Sequence, residues 1–322
     1  CYEHLAYNEN IVLRECFSHV SGFSKSWLLS HHYALKNRSL DYNYIPPVKL
    51  YHMDSCSLIQ PLFEIAISSK LIWESFHSKF ATENYLFNNS KLYSMISHQK
   101  TIDLHLNDPL FIIPHRWYNS NYYHWTIETI ARFRIWQNAK KRVKNLKILI
   151  NKFQADSFQH QWLKLMKIKD EDCIIIDDRK NYNLKNAFFC ASVGTNHCSY
   201  FNVNLINQLV TVTNTTNILP LEKSHDYKKI FVCRKNNTVR SIQNYDAIVR
   251  IMQKKGFKII YCEDYTILEQ IQIFQAAQYI VGIHGSGLAN IIFEKGDSRI
   301  LEILPSSSIN PAIFDLANAK KQ

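Results

Sequence analysis

The chain has 322 residues, a formal charge of +11, 46% apolar and 20% charged residues, and only seven glycines. So little glycine, against roughly 7% in an average protein, excludes collagen-like and Gly/Ser-rich classes, and the apolar content excludes wholesale disorder. The length predicts two domains, and the basic balance predicts an anionic partner such as nucleic acid, a membrane surface or a phosphorylated small molecule.

Residues 1–45 are polar and aromatic with little periodicity. Pro46-Pro47 precedes a predicted strand at 48–52, and 57–100 reads as one or two helices with loops. Residues 101–106 alternate, turn at Asn107-Asp108-Pro109 and resume at 110–113, which predicts a hairpin. Tyr122, Trp125, Ile127, Ile130, Phe133 and Trp136 recur at helical spacing, so 121–142 is a predicted helix. Strands follow at 147–150, 173–176 and 187–190, with helices at 155–167 and 203–213. A polar stretch with Pro220 divides the chain into 1–215, a linker at 216–226 and a second domain at 227–322. That domain alternates cleanly. Strands at 229–233, 257–261, 279–283 and 299–303 are separated by helices at 243–255, 266–278 and 287–294, with a last helix from about 311. The pattern is that of βαβ units, hence an α/β class with a parallel sheet.

No apolar run is long enough for a membrane-spanning helix. The eight cysteines form no C-x-x-C, and several sit in apolar runs, which predicts buried reduced thiols and a cytoplasmic protein. Sequons at Asn37, Asn88, Asn214 and Asn236 keep the secretory lumen open as an alternative. The start at Cys1 and the end inside a helical pattern predict further residues at both ends.

Three glycines fall within Gly282-Ile-His284-Gly285-Ser286-Gly287, at a predicted strand end and helix start. Backbone N–H groups of Ser286, Gly287 and Leu288 could face an anion there, and His284 could donate to a phosphate. The same residues read equally well as a tight turn capped by Ser286. Arg234, Arg240 and Asn244 follow the first strand of the same domain, where two guanidinium groups suit a diphosphate or simply meet solvent. Glu302, between apolar neighbours, is either an edge residue or a partner for a ribose diol. Glu269-Gln270 reads as capping or bracing. His124, Glu128 and Arg132 stand at i, i+4, i+8, which fits a general base with its carboxylate or a salt-bridge ladder. Asp170-Glu-Asp172 precedes a strand where a metal–nucleotide motif would follow one, and Asp177-Asp178 lacks partners, so no metal site is predicted.

Taken together, these segments resemble glycosyltransferase family 61. The resemblance rests on Asn121-Tyr-Tyr-His124-Trp125…Glu128…Arg132, on Arg234…Arg240…Asn244, and on Glu269-Gln270…Gly282-Ile-His284-Gly-Ser-Gly-Leu-Ala-Asn290…Glu302. It covers roughly 100–318, with Ser286 where the family usually has Ala. It implies a GT-B architecture, two Rossmann-like domains facing a cleft, with acceptor on the N-terminal side and nucleotide-sugar donor on the C-terminal side. It also implies inverting, metal-independent transfer, with no cofactor beyond a UDP-linked donor substrate. By that likeness Arg234 and Arg240 meet the diphosphate. His284 with the amides of Gly285, Ser286 and Gly287 forms the phosphate region, Glu302 holds the ribose, Asn244 and Asn290 also belong to the donor site, and His124 deprotonates the acceptor, with Glu128 orienting or replacing it. The expected acceptor is a glycan, lipid-linked glycan or glycoprotein, as in capsular or surface polysaccharide synthesis, with association at the inner membrane face and no nucleic acid. The competing readings are a basic, non-enzymatic binder of nucleic acid or anionic polymer, and a catalytically inactive member of the family.

Overall fold

The computed structural model describes residues 3–4, 50–60, 63–67, 70–71, 100–113, 121–190, 194–195, 200–201, 224–235, 242, 244–304, 310 and 312–319. The chain divides into two units, Cys1–Phe17 with Pro46–Cys198, and Ser18–Ile45 with Ser199–Gln322.

The first unit is built on a nine-stranded mixed sheet. Its strands are β1 (Glu3–His4), β2 (Leu50–Ile59), β3 (Glu64–Ile67), β4 (Lys70–Leu71), β5 (Thr101–Asp103), β6 (Leu110–Ile112), β7 (Lys147–Asn151), β8 (Cys173–Ile176) and β9 (Asn181–Cys190). Along the sheet the order is β4-β3-β2-β9-β6-β7-β8. Where 57–71 reads as helical in sequence, the chain instead forms the end of β2 and the strands β3 and β4. Residues 72–99 and the expected helix at 203–213 lie outside the described residues, as does most of the expected linker.

The ten-residue β9 is the spine of this sheet. It pairs antiparallel with β2 on one side, and parallel with both β5 and β6 on the other. The expected hairpin at 101–113 is therefore corrected. β5 meets Asn181–Asn183 and β6 meets Ala187–Phe189 in the same direction, so 107–109 is an excursion and not a reversal. A first unit with β2–β4 antiparallel also departs from the all-parallel sheet of a Rossmann domain. Parallel pairing is confined to β5 and β6 on β9 and to the β6-β7-β8 run. β6 and most of β7 are buried, as expected of strands covered on both faces.

Between β6 and β7 runs α1, which is α-helical over Tyr122–His124, widens to a π turn over Trp125–Thr129 and resumes as α over Ile130–Lys140. Asn121 caps it by accepting from the Tyr123 N–H, and Trp125, Phe133 and Trp136 are buried. Between β7 and β8 lies α2 (Phe158–Leu165), capped by Ser157.

The second unit holds a four-stranded, fully parallel sheet: β10 (Lys229–Cys233), β11 (Lys258–Tyr261), β12 (Tyr279–Ile283) and β13 (Arg299–Ile303), in the order β11-β10-β12-β13. Here the apolar runs read from sequence match the strands. Helix α3 (Tyr245–Lys254) packs Ile248, Val249 and Met252 on Phe231, Val281 and Ile283. Helix α4 (Ile267–Ala276) begins with a capping box, Thr266 with Glu269, and α5 (Ala312–Ala319) closes the described chain. The expected α-helix at 287–294 is a 3₁₀ helix, Ser286–Phe293.

A Cβ on Gly282 would stand 2.5 Å from Leu288 Cδ2 and 3.0 Å from its Cγ, and Leu288 is itself fully buried. Leu288 has no room to withdraw, so Gly282→Ala overpacks this layer and is expected to cost about 1–3 kcal/mol in urea unfolding. The loss should shrink in a Leu288→Val background, which separates the clash from any backbone effect.

Candidate functional site

In the order β11-β10-β12-β13 the chain leaves β10 toward one side of the sheet and leaves β12 toward the other. A crevice opens where neighbouring carboxyl ends part in this way, the usual ligand position in an open parallel sheet. The residues after β10 and β12 are Arg234 and His284-Gly285-Ser286. Arg234 Nη1 donates to the His284 carbonyl at 3.4 Å, and a Cβ on Gly285 would touch the Arg234 side chain at 3.4 Å. Lys235 pairs with Asp264, tying the loop after β10 to the loop after β11.

β12 and β13 run in register with Gly282 opposite Glu302, and the His284 N–H continues the ladder by donating to the Ile303 carbonyl. That register places His284 Nδ1 2.5 Å from Glu302 Oε1, with both side chains largely buried. The carboxylate accepts from Nδ1–H and fixes the orientation of the ring. Sequence reading gave these two residues separate roles, and the structure joins them.

The turn itself is braced from beneath. Asn290 is fully buried, and its amide nitrogen donates to Gln270 Oε1 at 2.8 Å and to the Gly287 carbonyl at 3.1 Å. Gln270 in turn donates to the carbonyls of Cys262 and Tyr265. Asn290 thus braces the turn from below, and Glu269-Gln270 caps and braces as the sequence suggested. The 3₁₀ pitch brings the Leu288 N–H onto the Gly285 carbonyl at 3.1 Å. Of the three amides expected to face an anion, that one is engaged inside the turn. Asn244 sits exposed at the N-cap of α3, and Arg240 lies outside the described residues.

In the first unit, His124 Nδ1 and Glu128 Oε1 are 2.9 Å apart, with Glu128 only 1% exposed. Arg132 does not extend the pair into a ladder. Its guanidinium lies by the Cys190 thiol, which burial pushes up in pKa, and its Nε and Nη1 have no partner among the described residues. The π turn between His124 and Ile130 alters the face that ideal α spacing predicts. π turns of this kind recur at functional sites.

Sequence reading missed a cavity of about 810 Å³ at the carboxyl ends of β7 and β8. Asn151, Gln154, Gln159 and Asp178 line it together with Phe153 and Phe158. Trp125, beside His124, stacks edge-on against both phenylalanines, so α1 supports the cavity wall. The acidic runs noted in the sequence have local roles. Asp172 pairs with Lys140, and Arg179 holds the Asp177 carboxyl well below the usual carboxylate range. Among the described residues, no three His, Cys, Asp or Glu side chains gather as a metal set, and no helix is long and apolar enough to cross a membrane.

Cys233 and Cys262 end β10 and follow β11, beneath the crevice, and a Cβ on Gly287 would lie 3.0 Å from Cys262 Sγ. Burial pushes the Cys233 thiol up to about 11 and the Cys262 thiol to about 12. At pH 8 each holds at least about a hundredfold less thiolate than a free thiol. Iodoacetamide followed by mass spectrometry should therefore label both slowly in the folded chain and quickly in urea.

A family model described as Glycosyltransferase 61 matches residues 122–301, from the first residue of α1 to the residue before Glu302. No curated protein sequence matches the chain. The match spans more than half of the chain and takes in both the His124–Glu128 pair and the crevice after β10 and β12: the chain belongs to glycosyltransferase family 61.

Proposed function

We propose that the chain transfers a sugar from a UDP-linked donor to a hydroxyl of a glycan or glycoconjugate, with inversion and without a bound metal, in surface-polysaccharide synthesis. The observation that carries this reading is the meeting of Arg234, His284 and Glu302 at the switch point of the second unit's parallel sheet. That sheet is the donor-binding half of the GT-B reading. Leaving diphosphate carries charge that must be met as it develops, and guanidinium and backbone donors fixed in a crevice do so without reorganising. Arg234 and His284, with Arg240 by the family likeness, take the diphosphate. Glu302 holds His284 through Oε1 and offers its other oxygen to the ribose.

In the transfer, the acceptor oxygen bonds to the anomeric carbon as that carbon's bond to the diphosphate breaks. The nucleoside diphosphate leaves with the electron pair, and the acceptor proton passes to His124 Nε2. Glu128 stabilises the imidazolium through Nδ1. The cavity at the ends of β7 and β8 offers aromatic faces beside amides and a carboxylate, chemistry that suits a sugar acceptor. Five free cysteines among the described residues favour a reducing compartment, hence the cytoplasm.

UDP should raise the thermal midpoint of the chain. Arg234→Ala or Glu302→Ala should weaken UDP binding about 10- to 100-fold, the loss of one charge-assisted hydrogen bond. His124→Ala should leave UDP binding intact and lower kcat about 10²- to 10⁴-fold. Absence of any UDP-induced shift would overturn the donor assignment. UDP binding without turnover across a panel of UDP-sugars and glycan acceptors would identify an inactive member of the family.

A further inference from the structure

We propose that the edge of the second unit's sheet opposite the crevice, where its four strands begin, is a docking surface for an anionic membrane. This inference does not depend on the transferase reading. β10 begins at Lys229, β11 at Lys258, β12 at Tyr279 and β13 at Arg299, and the returning helix α3 ends at Lys254-Lys255 on the same edge. Lys229, Tyr279 and Arg299 are opposite one another in register. With strands about 4.8 Å apart, the row from Lys258 to Arg299 is about 14 Å wide.

Exposed cations on this edge are Lys228, Lys229, Lys254, Lys255, Lys295 and Arg299. Among the described residues two exposed carboxylates stand against them, Asp226, which pairs with His225, and Asp297. Glu294 is buried, its carboxylate accepting from the N–H groups of Gly296 and Ser298. Among the described residues, Asp246, Glu263, Asp264 and Glu269 stand at the other edge, where they follow strands or begin helices, and Glu302 is the next-to-last residue of β13.

The aromatic rings argue for a bilayer over a nucleic-acid strand. A strand would need open ring faces on which bases stack. Here the Tyr279 ring carries Lys229 Nζ at 5.9 Å and the Arg299 guanidinium at 6.0 Å, and the Tyr227 ring carries Lys258 Nζ at 3.8 Å. What the edge presents is a tyrosine 40% exposed among cations, with Ile251, 54% exposed, one turn before Lys255 on α3. Tyrosine and a single aliphatic chain set among lysines and arginines suit the headgroup region, where polar tips stay wet and apolar parts sink.

The test is co-sedimentation of the intact chain with vesicles of phosphatidylglycerol mixed with phosphatidylcholine, against vesicles of phosphatidylcholine alone. The chain should pellet with the anionic vesicles only and be released by salt. Each basic residue at an anionic surface contributes about fivefold, so the triple variant Lys229→Gln, Lys255→Gln, Arg299→Gln should bind roughly a hundredfold more weakly. Its thermal midpoint should stay within a few degrees of the parent, since what it loses on the folded side are exposed contacts of Lys229 and Arg299 with the Tyr279 ring. The proposal is overturned if the parent ignores anionic vesicles or if the triple variant binds them equally. It is likewise overturned if the three residues serve polyphosphate or single-stranded nucleic acid and not vesicles.

Discussion

One buried pair of amides fixes the crevice of the second unit. Asn290 donates to Gln270 and to the Gly287 carbonyl, and Gln270 donates to two carbonyls after β11. Three separate pieces of chain, the glycine turn, α4 and the loop after β11, are thereby held to one another without solvent. Buried amides of this kind leave little tolerance, because removing one partner strands the others at about 1–3 kcal/mol each. Everything above the brace inherits its position. Gly285 is placed against Arg234, and the end of β12 is held so that His284 reaches Glu302 on the neighbouring strand.

The glycine cluster gains two explanations from this arrangement. Gly282 makes room for Leu288, and Gly287 makes room for Cys262, so two of the three glycines have packing reasons beneath the turn. Gly285 alone faces a side chain of the crevice. A motif that reads as a ligand seat is therefore also a close-packed joint, and the small residues serve both ends.

The second unit was legible because its strands are short apolar runs separated by helical periods, so that each element is announced by its own local pattern. The first unit was not, because its register is set by β9. The stretch at 101–113 carries a turn signal and alternation, yet its partner lies nearly eighty residues onward, which no local pattern can report. The strands at 64–71 fail for a related reason, being too short for a period of two to stand out. Site residues were legible as types but not as pairs. His284 and Glu302 are eighteen positions apart, and only the parallel register joins them. Asn290 reads in the motif as part of the donor site, and in the fold its buried amide braces the turn. The positive charge likewise had no address in sequence, whereas in the fold much of the second unit's share stands where the strands begin.

The π turn in α1 sets the phase of everything before it. An α-helix advances about 100° per residue, and a turn closed from Ile130 N–H to the Trp125 carbonyl contains one residue more than an α turn. His124 is thus rotated by roughly that angle from where an uninterrupted helix would aim it, while Phe133 and Trp136 keep their buried faces. The aim of the imidazole is an angular offset stored in the backbone, independent of the helix's own packing. Closed as an uninterrupted α-helix, the same residues would swing His124 to another face while Phe133 and Trp136 stayed where they are.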